Sequence, residues 1–230
     1  MKVFAHRGAS KEAPENSIEA IQIALELGVD AIEIDCMLSK DYIPVVTHYD
    51  DLSCLYKIRG KVHQTPYAEL KRLGIPKLID VLEMVRLTSM QLILDMKAQP
   101  GILMQKGAKR IARLAQDVLE DEQIHLSSFY FRHHLVWRTF FNSLRRGAIL
   151  WRGPFTLLPI FVFKKILGLH SIHPHWKSIQ PPQVQVWHKH DLKVYTWVAN
   201  TKEEIAVCKN LGVDGIFTDD PRFALMVLNP

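Results

Sequence analysis

The sequence has few cysteines and lacks the segments that mark export or membrane insertion. Cys36, Cys54 and Cys208 are odd in number and widely spaced, so they fit neither a disulfide framework nor a zinc motif. This usage favours a reducing compartment. No basic segment followed by a long apolar run opens the chain, and the apolar run at residues 155–163 is too short to span a bilayer. We therefore expect a cytoplasmic protein.

Charge of one sign is only weakly in excess. The net charge of +5 suits an anionic substrate or a negatively charged membrane surface, and it also fits an ordinary solvated surface. Hydrophobic residues make up 48% of the 230 residues, which is enough for a sizeable core. We expect a single domain over residues 1–230.

Short apolar runs alternate with amphipathic, helix-like segments along the whole chain. The strand-like runs cover residues 3–5, 31–38, 91–97, 124–129, 148–151, 169–173, 193–198 and 215–218. Eight strands, each followed by a helix, predict an α/β fold of the closed (β/α)8 or TIM-barrel type. An open doubly wound sheet is the alternative. It would usually begin with a G-x-G-x-x-G turn, which the HRGAS segment at residues 6–10 does not match.

One further apolar run, residues 44–47, does not fit the count of eight strands. We interpret it as the return of a small hairpin insertion after strand 2. A turn centred just after Lys40 would place His48 opposite Glu33, with their side chains on one face of the hairpin. Residues 50–74 then read as a polar loop.

Polar and charged side chains stand at the carboxyl ends of three neighbouring predicted strands: His6 and Arg7, Glu33 and Asp35, and Asp95 and Lys97. Barrel enzymes place their catalytic residues at this end of the strands. Clustered carboxylates repel each other unless a cation lies between them. Oxygen ligands favour Mg²⁺ or Ca²⁺ over zinc. Taken singly, residues of these types more often form ordinary structural ion pairs or hydrogen bonds. Their combination on adjacent strands of one predicted barrel face favours a functional site.

Several segments resemble the glycerophosphodiester phosphodiesterase family, within a phosphodiesterase superfamily that shares the TIM-barrel fold. The resemblance is carried by HRGASKEAPENS at residues 6–17, GVDAIEIDCMLSKDYIPVVTHYDDL at 28–52, IPKLIDVLEMV at 75–85, SSF at 127–129, HPHW at 173–176 and LKVYTWVANTKEEIAVCKNLGVDGIFTDDP at 192–221. The long, fixed spacing of the first two segments makes them specific, and the resemblance covers almost the whole chain.

The resemblance implies a set of catalytic and metal-binding residues. His6 and His48 match the two catalytic histidines of the family. Glu33, Asp35 and Asp95 match the ligands of one divalent metal ion, with Asp95 standing where the family usually has a glutamate. Aspartate is one methylene shorter, so the metal affinity and the choice of ion depend on how close the backbone lies.

The resemblance also implies substrate contacts for four residues. Arg7 is expected to contact the phosphate, with Glu15 orienting it. Lys97 matches the lysine of the family's E-x-K pattern, and Trp197 is expected to line the pocket beside the part of the substrate that does not react. Asn16 or Ser17 is expected to cap the following helix, with Asn16 preferred.

The function implied is hydrolysis of a small-molecule phosphodiester, with no nucleic-acid partner. Two alternatives stay open: a lysophospholipase-D-like activity on membrane-derived lipids, and a catalytically silent barrel that binds lipid or phosphate. Residues 144–168 are unusually apolar and flanked by Arg145, Arg146, Lys164 and Lys165. They fit either a buried part of the barrel's outer layer or a peripheral membrane contact.

Overall fold

The computed structural model describes residues 1–151 and 160–228, with the backbone alone for 160–163. Nine strands form one sheet: β1 Lys2–His6, β2 Ala31–Leu38, β3 Pro44–Val46, β4 Gln91–Met96, β5 Ile124–Ser128, β6 Arg145–Leu150, β7 Ser171–Pro174, β8 Lys193–Thr196 and β9 Gly215–Thr218. All except β3 are parallel, and pairing of β1 with both β9 and β2 closes them into an eight-stranded barrel. The predicted (β/α)8 barrel is therefore confirmed, and the open sheet is excluded.

Helices connect the strands: α1 Ile18–Leu27, α2 Ser53–Tyr56, α3 Tyr67–Arg72, α4 Leu78–Arg86, α5 Leu103–Gln116, α6 Phe131–Phe140, α7 Ile160–Leu167, α8 Pro181–Lys189, α9 Lys202–Leu211 and α10 Pro221–Leu228. Helix α1 begins at Ser17, whose hydroxyl accepts the backbone N–H of Ala20, and ends at Gly28 in the left-handed conformation. Nowhere in the described part of the chain is a helix both long and apolar enough to cross a bilayer.

Alternation along each strand separates the two faces of the barrel wall. All eight residues of β2 are buried. Ile32 and Ile34 pack in the main hydrophobic core, and Glu33 and Asp35, which alternate with them, lie on the other face of the strand. A small apolar cluster of Phe4, Ala31, Ile93 and Phe217 fills the middle of the barrel. This buried apolar cluster lies beneath the polar residues at the carboxyl ends of the strands.

The barrel also contains a buried chain of alternating histidine and serine side chains. His125 Nε2 lies 3.0 Å from the hydroxyl of Ser171, which lies 2.8 Å from His173 Nε2. His173 Nδ1 in turn lies 3.1 Å from the hydroxyl of Ser127. Gly147 makes room for this chain, since a Cβ there would lie 2.4 Å from ring atoms of His173.

The hairpin exists, but its predicted register was wrong by one residue. Cys36 pairs with Val46 and Leu38 with Pro44, so His48 does not lie opposite Glu33. Strand β3 ends at Val46, and the chain then leaves the pleated geometry on which the prediction depended. The left-handed conformation of Tyr42 shapes the turn, in place of the glycine that such turns favour.

Residues 50–74 are more structured than a polar loop. They contain α2, a short 3-10 turn at Val62–Gln64 and α3. Buried residues from this insertion pack with β2 and β3 in a separate cluster: Met37, Val45, Leu52, Val62, Tyr67, Leu70 and Ile75. The two helices span only four and six residues, which is too short for a helical period to stand out in the sequence.

Strand β6 begins three residues before its predicted start, because it includes two arginines. Arg146 is only 1% exposed, and its guanidinium donates to the carbonyls of Gly168 and Phe141. These hydrogen bonds to carbonyl oxygens offset the cost of burying the charged side chain among the surrounding helices. A hydrophobicity pattern counts arginine as polar and therefore begins the strand too late.

Replacing His125 by glutamine should make the free energy of unfolding depend less steeply on pH under acidic conditions. Burial, followed by the positive charges of His170 and Arg145, lowers the pKa of His125 to about 3. An unfolded histidine titrates near pH 6.5, so between these values the unfolded chain binds one more proton and the free energy of unfolding falls as the pH falls. The loss should be about 1.4 kcal/mol per pH unit for this group.

Denaturant unfolding between roughly pH 6 and pH 4 measures this slope. His125→Gln retains a partner for Ser171 but cannot titrate, so its slope should be shallower than that of the wild type by this amount. Equal slopes for the wild type and His125→Gln would contradict the prediction.

Candidate active site

The candidate site lies at the carboxyl ends of the barrel strands, where β1 delivers His6 and Arg7. His6 Nδ1 lies 2.6 Å from Asp219 Oδ1, which leaves the other ring nitrogen for a ligand. Burial lowers the pKa of His6, but the hydrogen bond to Asp219 and the charge of Glu33 outweigh it, and the net shift is upward. The next residues turn sharply, since Arg7 and Gly8 both have positive φ. A Cβ on Gly8 would lie 2.6 Å from the backbone of Ala20, so the turn needs glycine.

Three buried carboxylates converge beside this turn. Asp35 of β2 is in register with Asp95 of β4, and Glu33 of β2 is level with His6 of β1. One oxygen from each of Glu33, Asp35 and Asp95 lies within 4.8 Å of the others. Glu33 and Asp35 lie in the middle of β2, and not at its end as predicted, because β2 extends beyond the barrel rim to pair with β3.

Cationic side chains offset part of this negative charge. Lys97 Nζ lies 2.7 Å from Asp35 Oδ1 and 2.5 Å from Asp95 Oδ2. Arg7 Nε lies 3.1 Å from Asp35 Oδ2. Burial alone would raise the pKa of Asp35, but Lys97 and Arg7 hold that pKa well below its usual range. Asp35 is therefore a permanent anion, and it in turn keeps both cations charged.

The other two carboxylates resist ionisation. Burial, followed by the charge of Asp35, raises the pKa of Glu33 to about 8, and burial also raises the pKa of Asp95. Among the described residues, no hydrogen-bond donor reaches the buried Oδ1 of Asp95. An orphaned buried oxygen in a cluster of three carboxylates fits a hard divalent cation such as Mg²⁺ or Ca²⁺.

The polar cluster forms one side of a cavity of about 300 Å³. His48 and Lys97 line it together with His6, Arg7, Glu33 and Asp95, so the structure brings these predicted residues to one place. His48 arrives from the loop after β3, which explains why it reaches the cavity despite the shifted register. Burial, followed by the charges of Lys97, Arg7 and His6, lowers the pKa of His48 to about 4, although Asp35 opposes this effect.

The opposite side of the cavity is aromatic. The ring centroids of Trp151 and Trp197 lie 5.5 Å apart, and Phe129 lies 6.2 Å and 6.1 Å from them. The indole N–H of Trp197 donates to the carbonyl of His173 at 2.7 Å, which fixes the ring. The cavity therefore joins a charged half to an apolar half, as a ligand with one anionic end requires.

Two neighbours of Arg7 have different structural roles. Glu15 Oε2 accepts a hydrogen bond from Arg7 at 2.8 Å, the geometry expected of a residue that orients the guanidinium. The expectation that Asn16 caps α1 is wrong, because Ser17 does so. Asn16 instead binds Asp35 twice: its amide donates to the carboxylate at 2.8 Å, and its carbonyl oxygen accepts the Asp35 backbone N–H at 3.1 Å.

Asp219 and Asn200 are two site residues that were not predicted from the sequence. Asp219 directly follows β9, which pairs with β1, so it lies next to His6. Asn200 donates to Asp219 Oδ2 at 2.6 Å and accepts the Asp219 backbone N–H at 2.8 Å, which fixes the carboxylate. The FTDD segment at residues 217–220 was a usable signal, because a carboxylate after the last strand of a closed barrel must lie beside the first strand.

Comparisons with known proteins agree with this geometry. The profile of the glycerophosphoryl diester phosphodiesterase family matches residues 6–223. A glycerophosphodiester phosphodiesterase of Caldanaerobacter subterraneus is 29% identical over 95% of this chain and 94% of its own. The human lysophospholipase D GDPD1 is 24% identical over 96% of this chain and 83% of its own. An Oleispira antarctica phosphodiesterase, solved with the product sn-glycerol-3-phosphate, superposes with a TM-score of 0.91 at 25% identity, covering 100% and 97% of the two chains.

Replacing Asp219 by asparagine should lower the pKa of His6. The variant loses the carboxylate that stabilises the protonated imidazole, while burial of the ring persists. NMR titration of the histidine rings, with chelator present, measures the shift. The control is Asp220→Asn, since that residue accepts the Phe223 N–H at the start of α10 and makes no contact with His6. An unchanged His6 pKa in Asp219→Asn would refute the coupling.

Proposed function

Because the chain belongs to the glycerophosphoryl diester phosphodiesterase family, we propose that it hydrolyses glycerophosphodiesters to sn-glycerol 3-phosphate and an alcohol. The observation that carries this proposal is a cavity that His6 and His48 line together with Glu33 and Asp95, two members of the cluster of three buried carboxylates. A catalytically silent barrel would have no need for this costly cluster of buried charge.

Glu33, Asp35 and Asp95 are the residues that would hold a divalent metal ion, either Mg²⁺ or Ca²⁺. When bound, the ion would neutralise charge on the phosphodiester oxygens and polarise the phosphorus. The shorter Asp95 still presents a carboxylate in register with Asp35, so the absence of the usual glutamate removes no donor type.

Arg7 and Lys97 bind the anionic group of the substrate beside the metal-binding carboxylates. Both line the cavity, and both are fixed by ion pairs with Asp35. Arg7 also has Glu15 as a partner, so its guanidinium is oriented before substrate arrives. Preorganised cations of this kind stabilise the additional charge that develops on phosphate oxygens in the transition state.

His6 and His48 carry the proton transfers. One removes a proton from the attacking hydroxyl, and the other donates a proton to the departing alcohol. Asp219 orients His6 and stabilises its protonated form, whereas no donor or acceptor within the described residues reaches the buried Nδ1 of His48. The attacking hydroxyl is either water or the glycerol hydroxyl next to the phosphate, and the latter would give a cyclic phosphate first.

A second candidate activity is hydrolysis of lysophospholipids, favoured by the aromatic half of the cavity. Phe129, Trp151 and Trp197 provide an apolar wall that an acyl chain could cover, and Trp151 is 66% exposed. The human relative bears the name lysophospholipase D, which adds weight to this candidate. A divalent ion and the two histidines would serve both substrates.

We also propose a peripheral membrane contact through residues 144–168, although the aromatic and basic residues that the structure describes in this segment do not lie together as the sequence suggested. Residues 152–159 lie outside the described residues. Trp151 lies at the cavity, whereas Arg145 and Lys165 line a separate cavity around the amino ends of the strands. An interfacial contact at the site would therefore rest on exposed aromatic residues, and not on these cations.

Turnover of glycerophosphocholine tests the main proposal. We expect release of sn-glycerol 3-phosphate with Mg²⁺ or Ca²⁺, and none with chelator. His6→Ala and His48→Ala should each reduce kcat by about 100-fold or more, with folding checked by circular dichroism. The exposed His188→Ala should retain activity. A His6 or His48 variant with a near-normal rate would remove that histidine from the mechanism.

Trp151→Ala should distinguish the two candidate substrates. Loss of its apolar surface should raise KM for lysophosphatidylcholine by about tenfold while changing that for glycerophosphocholine far less, because only the lipid has a chain to cover the ring. Phe140→Ala, at an exposed position on α6, is the control. Equal effects on both substrates, or no turnover of the lipid by the wild type, would count against the second candidate.

A further inference from the structure

A second cavity opens at the end of the barrel opposite the candidate active site. Its lining includes the first residues of four strands: Lys2 of β1, Gln91 of β4, Arg145 of β6 and Lys193 of β8. The volume is about 1080 Å³, more than three times that of the first cavity. It is therefore large enough for a small-molecule ligand.

Positive charge is concentrated in this cavity. Eight lysine and arginine side chains line it, against the two carboxylates of Asp191 and Asp214. The resulting surplus of six positive charges exceeds the surplus of five carried by the whole chain. The rest of the molecule is thus slightly acidic, and the weak net charge of the sequence concealed a strong local field. A concave surface that carries charge of one sign concentrates its electrostatic potential in the cavity and attracts a ligand of opposite charge.

Both carboxylates are already engaged. Asp214 lies 2.8 Å from Lys193 Nζ and 2.7 Å from His188 Nε2. Asp191 is almost fully exposed and lies 3.7 Å from Lys164 Nζ. These pairs account for two of the eight cations, and neither carboxylate is left to neutralise the others.

Six cations in the cavity have no carboxylate within 4 Å in the part of the chain that the structure describes: Lys2, Arg138, Arg145, Arg146, Lys165 and Lys189. The guanidinium of Arg146 is already bound by backbone carbonyls, which leaves the other five for a ligand. They come from two strands and three helices, so folding brings them together from distant parts of the sequence. Five unneutralised cations around one concavity repel each other, and that cost is relieved when an anion binds among them.

The pKa values of two neighbouring groups are consistent with this concentration of positive charge. Burial, followed by the charges of Arg146, Arg145 and Lys164, lowers the pKa of His170, which lines the same cavity. Burial and then Arg138 lower the pKa of Arg146 to about 10. Both shifts are in the direction that crowded positive charge produces.

We propose that this basic cavity binds a phosphate-bearing anion at a site separate from the candidate active site. Arginine and lysine together are the side chains that phosphate oxygens prefer, and the number of free cations fits more than one phosphate group. The concave shape favours a compact ligand over an extended polymer. The proposal does not depend on the catalytic activity.

Calorimetric titration with inorganic tripolyphosphate, in chelator to suppress metal effects, tests the proposal. Lys165→Glu/Lys189→Glu should bind at least about tenfold more weakly than the wild type, because each reversal replaces attraction by repulsion. Lys71→Glu/Lys209→Glu is the matched control, since all four lysines are exposed and lie in the last turn of a helix. The control should bind as the wild type does, and thermal unfolding confirms that both variants fold.

Vesicles of phosphatidylcholine with phosphatidic acid distinguish the source of the phosphate. Binding of tripolyphosphate but not of vesicles supports a free phosphate compound, and vesicle binding that only Lys165→Glu/Lys189→Glu abolishes supports a lipid headgroup. Turnover of glycerophosphocholine should be unchanged in this variant, which separates the outcome from that of the proposed function. Equal affinities of the two double variants, or no binding of either probe by the wild type, would overturn the proposal.

Discussion

The mutual repulsion of three buried carboxylates is the constraint on which the rest of the site depends. Glu33, Asp35 and Asp95 lie within one cluster because β2 and β4 pair in register, and burial makes their charge expensive. Lys97 and Arg7 compensate Asp35 but leave an oxygen of Asp95 without a donor. The protein retains a cluster that folding alone would disfavour, which is the usual sign of a binding function.

The barrel provides the rigidity that such a cluster needs. Hydrogen bonds with Asn16 hold Asp35, the tight turn at Gly8 packs against Ala20 of α1, and ion pairs with Glu15 and Asp35 fix Arg7. Beneath the charges, the apolar cluster around Phe4 is buried within the barrel. Charged side chains held by a dry, closed scaffold cannot relax to relieve their repulsion, so a ligand that relieves it gains the full benefit.

The sequence predicted the barrel and most of the site, and the failures have physical causes. Strand ends are visible because polar residues follow short apolar runs, which is how His6 and Asp95 were singled out, whereas Glu33 and Asp35 stood out as two carboxylates in an otherwise apolar run and lie in the middle of β2. The hairpin register failed because the turn is centred on Asp41 and not just after Lys40, so Val46 pairs with Cys36 in place of Asp35. Asp219 was missed because its proximity to His6 depends on ring closure across more than 200 residues. The basic cavity could not be predicted, since its cations are dispersed along the chain and meet only at the strands' amino ends.

The central claim is that the three carboxylates form a cation site, and calorimetric titration with Mg²⁺ and Ca²⁺ tests it most directly. Glu33→Gln preserves the shape of the side chain and its acceptor for the Arg7 backbone N–H, but it cannot ionise to bind a cation. Glu15→Gln removes a charge outside the cluster. The account predicts one ion bound per chain in the wild type and Glu15→Gln, with affinity at least about tenfold lower in Glu33→Gln. Equal binding by Glu33→Gln, or no binding by the wild type, would contradict it.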